Sequence, residues 1–234
     1  MNEFKYIGTE LELFAEAKNW KNYIRAYLVK YIKGSILEVG AGIGSNTGLL
    51  HNYQCQKWLC LEPDRKLFES LQITINNLSF TNCEAQNGTI ELLTNSQEFD
   101  AILYLDVLEH ILDDKQEVIQ VMQNLKLGGN LIILCPAHQW LFSPFDTAVG
   151  HYRRYDKASL QAVMPQNIQI IELVYLDCIG LLVNLGNRLL LKQSKPNLTQ
   201  IKIWDKFMVS LSRLVDPLIG YRVGKTVILI GKKI

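Results

Sequence analysis

Three glycines at alternate positions, Gly40, Gly42 and Gly44, directly follow an apolar strand-like run, and this constrains the chain more than any other feature. The stretch Ile36-Leu-Glu-Val-Gly-Ala-Gly-Ile-Gly44 predicts a strand that turns sharply into a helix. Without side chains the turn can bend tightly, and a ligand can approach where any Cβ would collide. A nucleotide-like ligand is the functional expectation; a tight turn with no ligand is the plain one. A G-x-G-x-x-G dinucleotide fingerprint would place its third glycine at position 45, where this chain has Ser45. Glu38, two residues before the first glycine, would also bring a carboxylate toward a pyrophosphate.

Spacing and charge therefore disfavour NAD and favour a cationic relative. S-adenosylmethionine carries an adenosine half but a sulfonium and an ammonium in place of phosphates, so an acid beside the turn becomes attractive. At 234 residues the chain suits one α/β domain with an elaboration. Its 24 basic and 23 acidic residues nearly cancel, which argues against nucleic acid as a partner. Five cysteines, odd in number and without a C-x-x-C pair, read as reduced core residues of a cytoplasmic protein. No apolar leader opens the sequence and no uninterrupted apolar run is long enough for a transmembrane segment. Cytoplasmic localisation is the expectation.

Apolar residues at helical spacing predict an amphipathic helix over residues 10–32, including Leu13, Phe14, Trp20, Tyr23 and Tyr27. Strands and helices then alternate. Strands are expected at 36–39, 58–61, 81–86, 99–105 and 131–135, with helices at 45–52, after Asp64, and at 114–125 before a Gly128-Gly129 turn. Beyond Pro136 comes a loop of about twenty residues, rich in aromatics and charges, of a length that usually serves function. A helix starting at Asp156 or Ser159, strands at 168–176 and 226–230, and apolar helices at 178–192 and 200–215 complete the pattern. The fold class that follows is α/β: a Rossmann-like, seven-stranded, mostly parallel sheet with helices on both faces. One domain spans 1–234, with an N-terminal helical cap (1–34), a cofactor-binding core (35–177) and an added helical C-terminal insertion (178–224). Ligands bind such sheets at the carboxyl ends of the strands.

Four features fall at those ends: the glycine turn, Glu62 about twenty residues later, Asp106-Val-Leu-Glu-His-Ile111, and Gly128-Gly129. Glu62 is placed to accept hydrogen bonds from ribose hydroxyls. With these residues in this order, the chain resembles the class I S-adenosylmethionine-dependent methyltransferases over residues 20–135. Asp146, Gly150-His-Tyr-Arg-Arg-Tyr155 and Gly224-Lys-Thr226 are similar to a branch with a G-H-x-R-R-Y motif, often associated with surface-polysaccharide or secondary-metabolite pathways. The resemblance implies S-adenosylmethionine as cofactor. It places Glu38, Gly40, Ala41 and Gly42 at the methionine half and Glu62 on the ribose. It also puts Pro63, Asp64, Gly88 and Thr89 at the adenine, with Asp106, Val107 and His110 closing the pocket.

Two departures from the family pattern stand out. Gly88-Thr89 replaces the usual acid at the adenine, and Asp106 and Asp177 replace asparagines. The implied reaction is methyl transfer to a small-molecule or sugar-containing acceptor, at oxygen foremost, with His151 the first candidate base and Asp146 or Tyr155 the next. His151, Arg153, Arg154 and Tyr155 also suit a structural clamp in which the arginines pair Asp146 and Asp156. His110 reads as a cap or an adenine contact before an acid-base group, and His138 as structural. No transition-metal spacing is present, so no metal is expected. The apolar C-terminal helices suit a lid or a homodimer face; the second has Asp205, Lys206, Ser210 and Arg213 on its polar face, and the lack of a strongly basic polar face weakens a membrane reading. The rivals are a nucleotide-dependent oxidoreductase or epimerase on the same sheet, and a non-catalytic cofactor-binding module.

Overall fold

Apolar runs separated by turn residues form seven strands: β1 (Gly34–Val39), β2 (Cys55–Glu62), β3 (Cys83–Asn87), β4 (Phe99–Leu105), β5 (Leu125–Pro136), β6 (Ile168–Leu176) and β7 (Thr226–Lys233). They make one sheet in the order β3-β2-β1-β4-β5-β7-β6. The first five are parallel, and β7 runs antiparallel to both β5 and β6. Strand order reverses between β1 and β4, which opens a crevice at their carboxyl ends. The glycine turn follows β1 at that crevice. The computed structural model describes residues 6, 11, 15–94, 96–190 and 198–234, without the side chains of 186–190.

Helices cover both faces, so the central strands bury side chains on both sides and read as continuous apolar runs rather than alternating ones. In chain order the helices are α1 (Lys18–Leu28), α2 (Ser45–Leu50), α3 (Arg65–Leu78), α4 (Asp114–Val121), α5 (Pro144–Val149), α6 (Lys157–Val163), α7 (Cys178–Leu190), α8 (Leu198–Ile203) and α9 (Ser210–Leu218). A π-helical segment, Trp204–Val209, joins α8 to α9. One core packs Trp20, Leu28, Leu71 and Trp204 against Ile36, Trp58 and Leu103. The other packs Val118, Val121, Leu160 and Tyr155 against Leu37, Tyr104 and Ile133.

Several expected boundaries move. The helix expected over 10–32 is α1 plus a 3-10 turn at Val29–Tyr31, and Leu13 and Phe14 lie outside the described residues. Trp20 and Tyr23 are buried in the core, away from the cofactor crevice. Gly128-Gly129 does not end a helix before a strand but forms a bulge inside β5, where Phe99 pairs with Leu125 and Ala101 already with Asn130. The extra residues are absorbed at Gly128, whose φ of 77° lies in the left-handed region. The long loop after β5 contains a 3-10 turn (Gln139–Leu141) and α5, and its ends close through a bridge between Ala137 and Tyr155. The helix expected at 178–192 ends at Leu190, its last two residues falling outside the described ones.

The C-terminal helices are tied to the sheet by buried acids that serve as helix caps. Asp205 accepts from the backbone N–H groups of Asn19 (3.1 Å) and Trp20 (2.8 Å), in the first turn of α1, whose own N-cap side chain makes no bond. Asp216 accepts from the amides of Asp177 (2.7 Å) and Cys178 (3.1 Å) and from the Tyr23 hydroxyl (2.8 Å). Asp177 accepts from Trp204 Nε1 (2.7 Å), the Ser212 hydroxyl (2.6 Å) and the Gly180 amide (3.0 Å). Asp216→Ala strands three buried donors and is expected to cost about 3 kcal/mol in urea unfolding. Arg213→Ala, at an exposed position, should stay within about 0.5 kcal/mol of the parent. Equal effects of the two would contradict this account of the insertion.

Candidate cofactor and acceptor site

The glycine turn is held open by contacts that no side chain would permit. Gly40 has φ 65°, and a Cβ there would lie 2.7 Å from a Val107 methyl carbon. Gly42 has φ 58°, but among the described residues a Cβ there would meet only Leu11 at 3.7 Å, so its missing side chain leaves room rather than relieving a clash. Ala41 is buried, and its N–H donates to the Leu61 carbonyl.

Glu62 is the anchor. Its carboxylate accepts from the Gly42 amide (2.8 Å) through one oxygen and from the Asp64 amide (2.9 Å) through the other, locking the turn to the end of β2. Burial raises its pKa, and the two amide donors oppose the rise. Each oxygen keeps a lone pair for a further donor. Asp64 caps α3 through the Lys66 and Leu67 amides and also accepts from the Tyr6 amide at 2.7 Å. Asn87, which sequence reasoning passed over, braces Pro63 by donating to the carbonyls of Glu62 (2.8 Å) and Pro63 (3.1 Å). Gly88 donates to the Glu62 carbonyl, and the exposed Thr89 caps the short 3-10 turn at Ile90–Leu92.

Glu38 is buried beneath the turn, with one oxygen accepting from the Thr47 hydroxyl (2.7 Å) and the Trp58 indole (2.9 Å). Burial lifts its pKa to about 7. Asp106 follows β4 in a left-handed conformation, φ 56°, with an exposed side chain. Tyr6 reaches across the strand ends, its ring 5.8 Å from that of His110. No lysine or arginine lies in residues 36–64 except Lys57, which is exposed and paired with Glu84. This acid-lined turn suits a cation better than a pyrophosphate.

The loop between β5 and α6 brings the second group of residues to the crevice. Asp146 is fully buried and saturated: it accepts from the Ser143 amide and hydroxyl, from His151 Nδ1 (2.9 Å), and from Arg154 Nε (2.7 Å) and Nη2 (3.0 Å). Burial alone would raise its pKa, but the His151 and Arg154 donors hold the carboxyl well below the usual range. Asp146 is therefore corrected from candidate base to orienting group, having no lone pair left for a substrate proton. Tyr155 is corrected too. It is buried, donates to Asp114 at 2.6 Å, and burial pushes its pKa far above that of a free tyrosine. Arg154 clamps Asp146, whereas Arg153 pairs with Asp114 at 2.5 Å rather than with Asp156, which caps α6. Asp177 lies in the insertion's hydrogen-bond hub, and His138 is structural, bonded to the Gly224 carbonyl and stacked on Tyr175.

His151 remains the candidate base. Its Nδ1–H donates to Asp146, which leaves Nε2 as the lone-pair nitrogen, 3.9 Å from Glu109 Oε1. His110 meets the His151 ring edge-on at 4.6 Å, and burial lowers its pKa to about 4, so it is neutral near pH 7. Glu109 was overlooked although it sits inside the Val107-Leu-Glu-His-Ile111 motif. It is fully buried, and neither carboxylate oxygen has a hydrogen-bond partner among the described residues. Burial and the nearby Asp106 raise its pKa well above the usual value. Glu109, His110 and His151 offer ligand atoms within 4.8 Å of one another, so this trio could hold a metal. Sequence spacing concealed the trio because His151 arrives from another loop.

Comparison with known proteins agrees with this geometry. Residues 37–133 match the family described as "Methyltransferase domain". A mitochondrial ubiquinone biosynthesis O-methyltransferase of Dictyostelium discoideum is 30% identical over 149 residues, 57% of this chain. The chain spans 44% of that curated relative's length. Among solved structures, the YcgJ protein of Bacillus subtilis superposes with a TM-score of 0.62 at 17% identity, covering 91% of this chain and 98% of that one. The N-methyltransferase NodS of Bradyrhizobium japonicum, in complex with S-adenosylhomocysteine, gives 0.58 at 12% identity, covering 94% and 87%.

Glu38 gives the site a pH signature of its own. Its pKa is about 7 in the fold against 4.5 for the free side chain, so the fold binds this proton more tightly than the unfolded chain does. Its contribution is full below the unfolded value and is lost as pH rises through the folded one. Glu38→Gln should therefore gain on the parent by roughly 3 kcal/mol in urea unfolding between about pH 4.5 and about pH 7. Parallel pH curves would contradict the assignment. Residues 37–133 thus match the model of a methyltransferase domain, and the chain shares its fold with solved structures that include the N-methyltransferase NodS.

Proposed function

We propose that this protein is an S-adenosylmethionine-dependent methyltransferase of the G-H-x-R-R-Y branch, acting on a small-molecule or glycoconjugate acceptor, at oxygen foremost. The observation that carries the reading is Glu62, which ties the glycine turn to β2 and keeps a free lone pair on each oxygen toward the crevice. These residues fit the cofactor. Glu62 takes the ribose hydroxyls, Pro63, Asp64, Gly88 and Thr89 border the adenine, and Gly40, Ala41, Gly42, Val107 and Asp106 line the methionine half. Asp106 supplies the negative charge that an ammonium needs. When bound, the cofactor supplies a methyl group on a sulfonium, already activated for displacement by its positive charge.

The chain's own contribution is alignment and one proton transfer. Asp146 fixes His151 in the tautomer that presents Nε2, and Arg154 fixes Asp146. Nε2 then takes the proton of an acceptor hydroxyl as the oxygen attacks. His110, kept neutral by burial, packs against the His151 ring and does not compete as a cation. The dinucleotide reading is disfavoured by the acidic turn, and likeness to a ubiquinone biosynthesis O-methyltransferase supports oxygen as the methylated atom.

Glu62→Ala should weaken S-adenosylhomocysteine binding by about tenfold or more in calorimetry, because charge-assisted bonds to both hydroxyls are lost. Unchanged affinity would move the ribose elsewhere. His151→Ala should keep that affinity but lower kcat by about a hundredfold, using labelled cofactor and an acceptor found by screening hydroxylated compounds. Full turnover in the variant would remove His151 as base. Activity should also survive chelation by EDTA; loss of activity restored by a divalent cation would instead assign Glu109, His110 and His151 to a metal.

A further inference from the structure

The C-terminal insertion presents a surface that neither the sheet nor the candidate site uses. Ile203, Phe207, Leu211, Leu214 and Leu218 recur every three or four residues along the helical stretch from α8 to α9 and form one stripe. All five are exposed, Phe207 at 61%, Leu214 at 69% and Leu218 at 84%. Leu182, Val183 and Leu185 of α7 are exposed as well. The opposite side of the same stretch, with Trp204, Val209, Ser212 and Asp216, is buried against the rest of the protein.

Charge in the insertion is one-sided. Residues 178–224 contain seven lysines and arginines but only two acids, Asp205 and Asp216. Both acids are buried as helix caps, and so are absent from the surface. Lys202, Lys206, Arg213 and Arg222 are exposed, with Lys206 and Arg213 bordering the apolar stripe. The sequence suggested mixed charges here; the fold consumes the negative ones. The insertion thus sets Lys206 and Arg213 beside an exposed apolar face, with no exposed acid among its described residues.

We infer that the α7–α9 insertion docks the protein on an anionic membrane surface, with the helix from α8 to α9 lying in the headgroup plane. An apolar stripe flanked by lysine and arginine is the pattern of a helix that lies on a bilayer, its apolar side chains inserted and its cations on acidic headgroups. A symmetric dimer through this face would bring Lys206 and Arg213 of both copies into one interface, with no exposed acid among the described residues of the insertion to neutralise them. No helix among the described residues is long and apolar enough to cross a membrane, so the contact is peripheral. Because β6 runs parallel to β5, α7 leaves from the strand edge at which the crevice opens. The inference does not depend on which reaction the crevice performs.

The test is flotation of the full chain with vesicles of phosphatidylcholine alone and of phosphatidylcholine mixed with phosphatidylglycerol. Binding to the mixed vesicles, weaker binding to the neutral ones, and release by salt are expected. Phe207→Ser with Leu214→Ser, and separately Lys206→Glu with Arg213→Glu, should each lower the vesicle partition coefficient by about tenfold or more. Both pairs lie at exposed positions, so melting temperature and S-adenosylhomocysteine affinity should be unchanged. Failure to bind the mixed vesicles would overturn the inference, as would binding indifferent to both pairs of substitutions. A dimer in light scattering that the same substitutions dissociate would overturn it in favour of self-association. Capture of an acidic soluble protein by this face, without vesicle binding, would overturn it in favour of a protein partner.

Discussion

Two short hydrogen bonds to one carboxylate organise the crevice. Glu62 receives the Gly42 amide on one oxygen and the Asp64 amide on the other, so the turn after β1 and the end of β2 move as a unit. Holding the left-handed glycines in place opposes a large entropy, since glycine loses most conformational freedom on folding. Asp64 extends the anchor to the N-terminus of α3 and to Tyr6, and Asn87 extends it to β3. A buried carboxylate satisfied only by amides also leaves a negative charge facing the crevice. The same residue thus shapes the turn and sets the sign of charge it accepts.

A second carboxylate does the equivalent work on the acceptor side. Asp146 collects Ser143, His151 and Arg154 within one loop and leaves that loop little freedom to reorient the imidazole. Glu109 stands apart from both, buried with no hydrogen-bond partner among the described residues and 3.9 Å from His151 Nε2. An unpaired buried carboxyl is costly unless it keeps its proton or meets a cation, so it is the group most responsive to what enters the crevice. The insertion follows the opposite logic. Its acids are used to cap α1 and α7, whereas Lys202, Lys206, Arg213 and Arg222 remain outside.

Much of the fold was legible because parallel strands buried on both faces are nearly continuous apolar runs, which Ile36–Val39, Phe99–Leu105 and Leu131–Cys135 display. Glycine spacing and the position of Glu62 carried the cofactor reading, since both are local in sequence. What escaped was set by distance along the chain. Asp146 and Tyr155 looked like free bases until partners from the loop itself and from residue 114 saturated or buried them. Glu109 lay in a recognised motif, yet its isolation depends on packing. Gly128-Gly129 read as a turn because a bulge and a turn use the same residue type. The polar face of the second C-terminal helix looked like solvent-facing charge, Asp205 included, because helical position alone does not reveal that a neighbouring helix lacks a cap.

The central claim is that this crevice takes a sulfonium nucleoside rather than a dinucleotide. Thermal unfolding of the intact chain with S-adenosylmethionine, S-adenosylhomocysteine and NADH in turn tests it most directly. A ligand present at a hundred times its dissociation constant adds about 2.7 kcal/mol of stability. The account predicts stabilisation of that order by the two sulfur nucleosides and none by NADH. Stabilisation by NADH alone would contradict it.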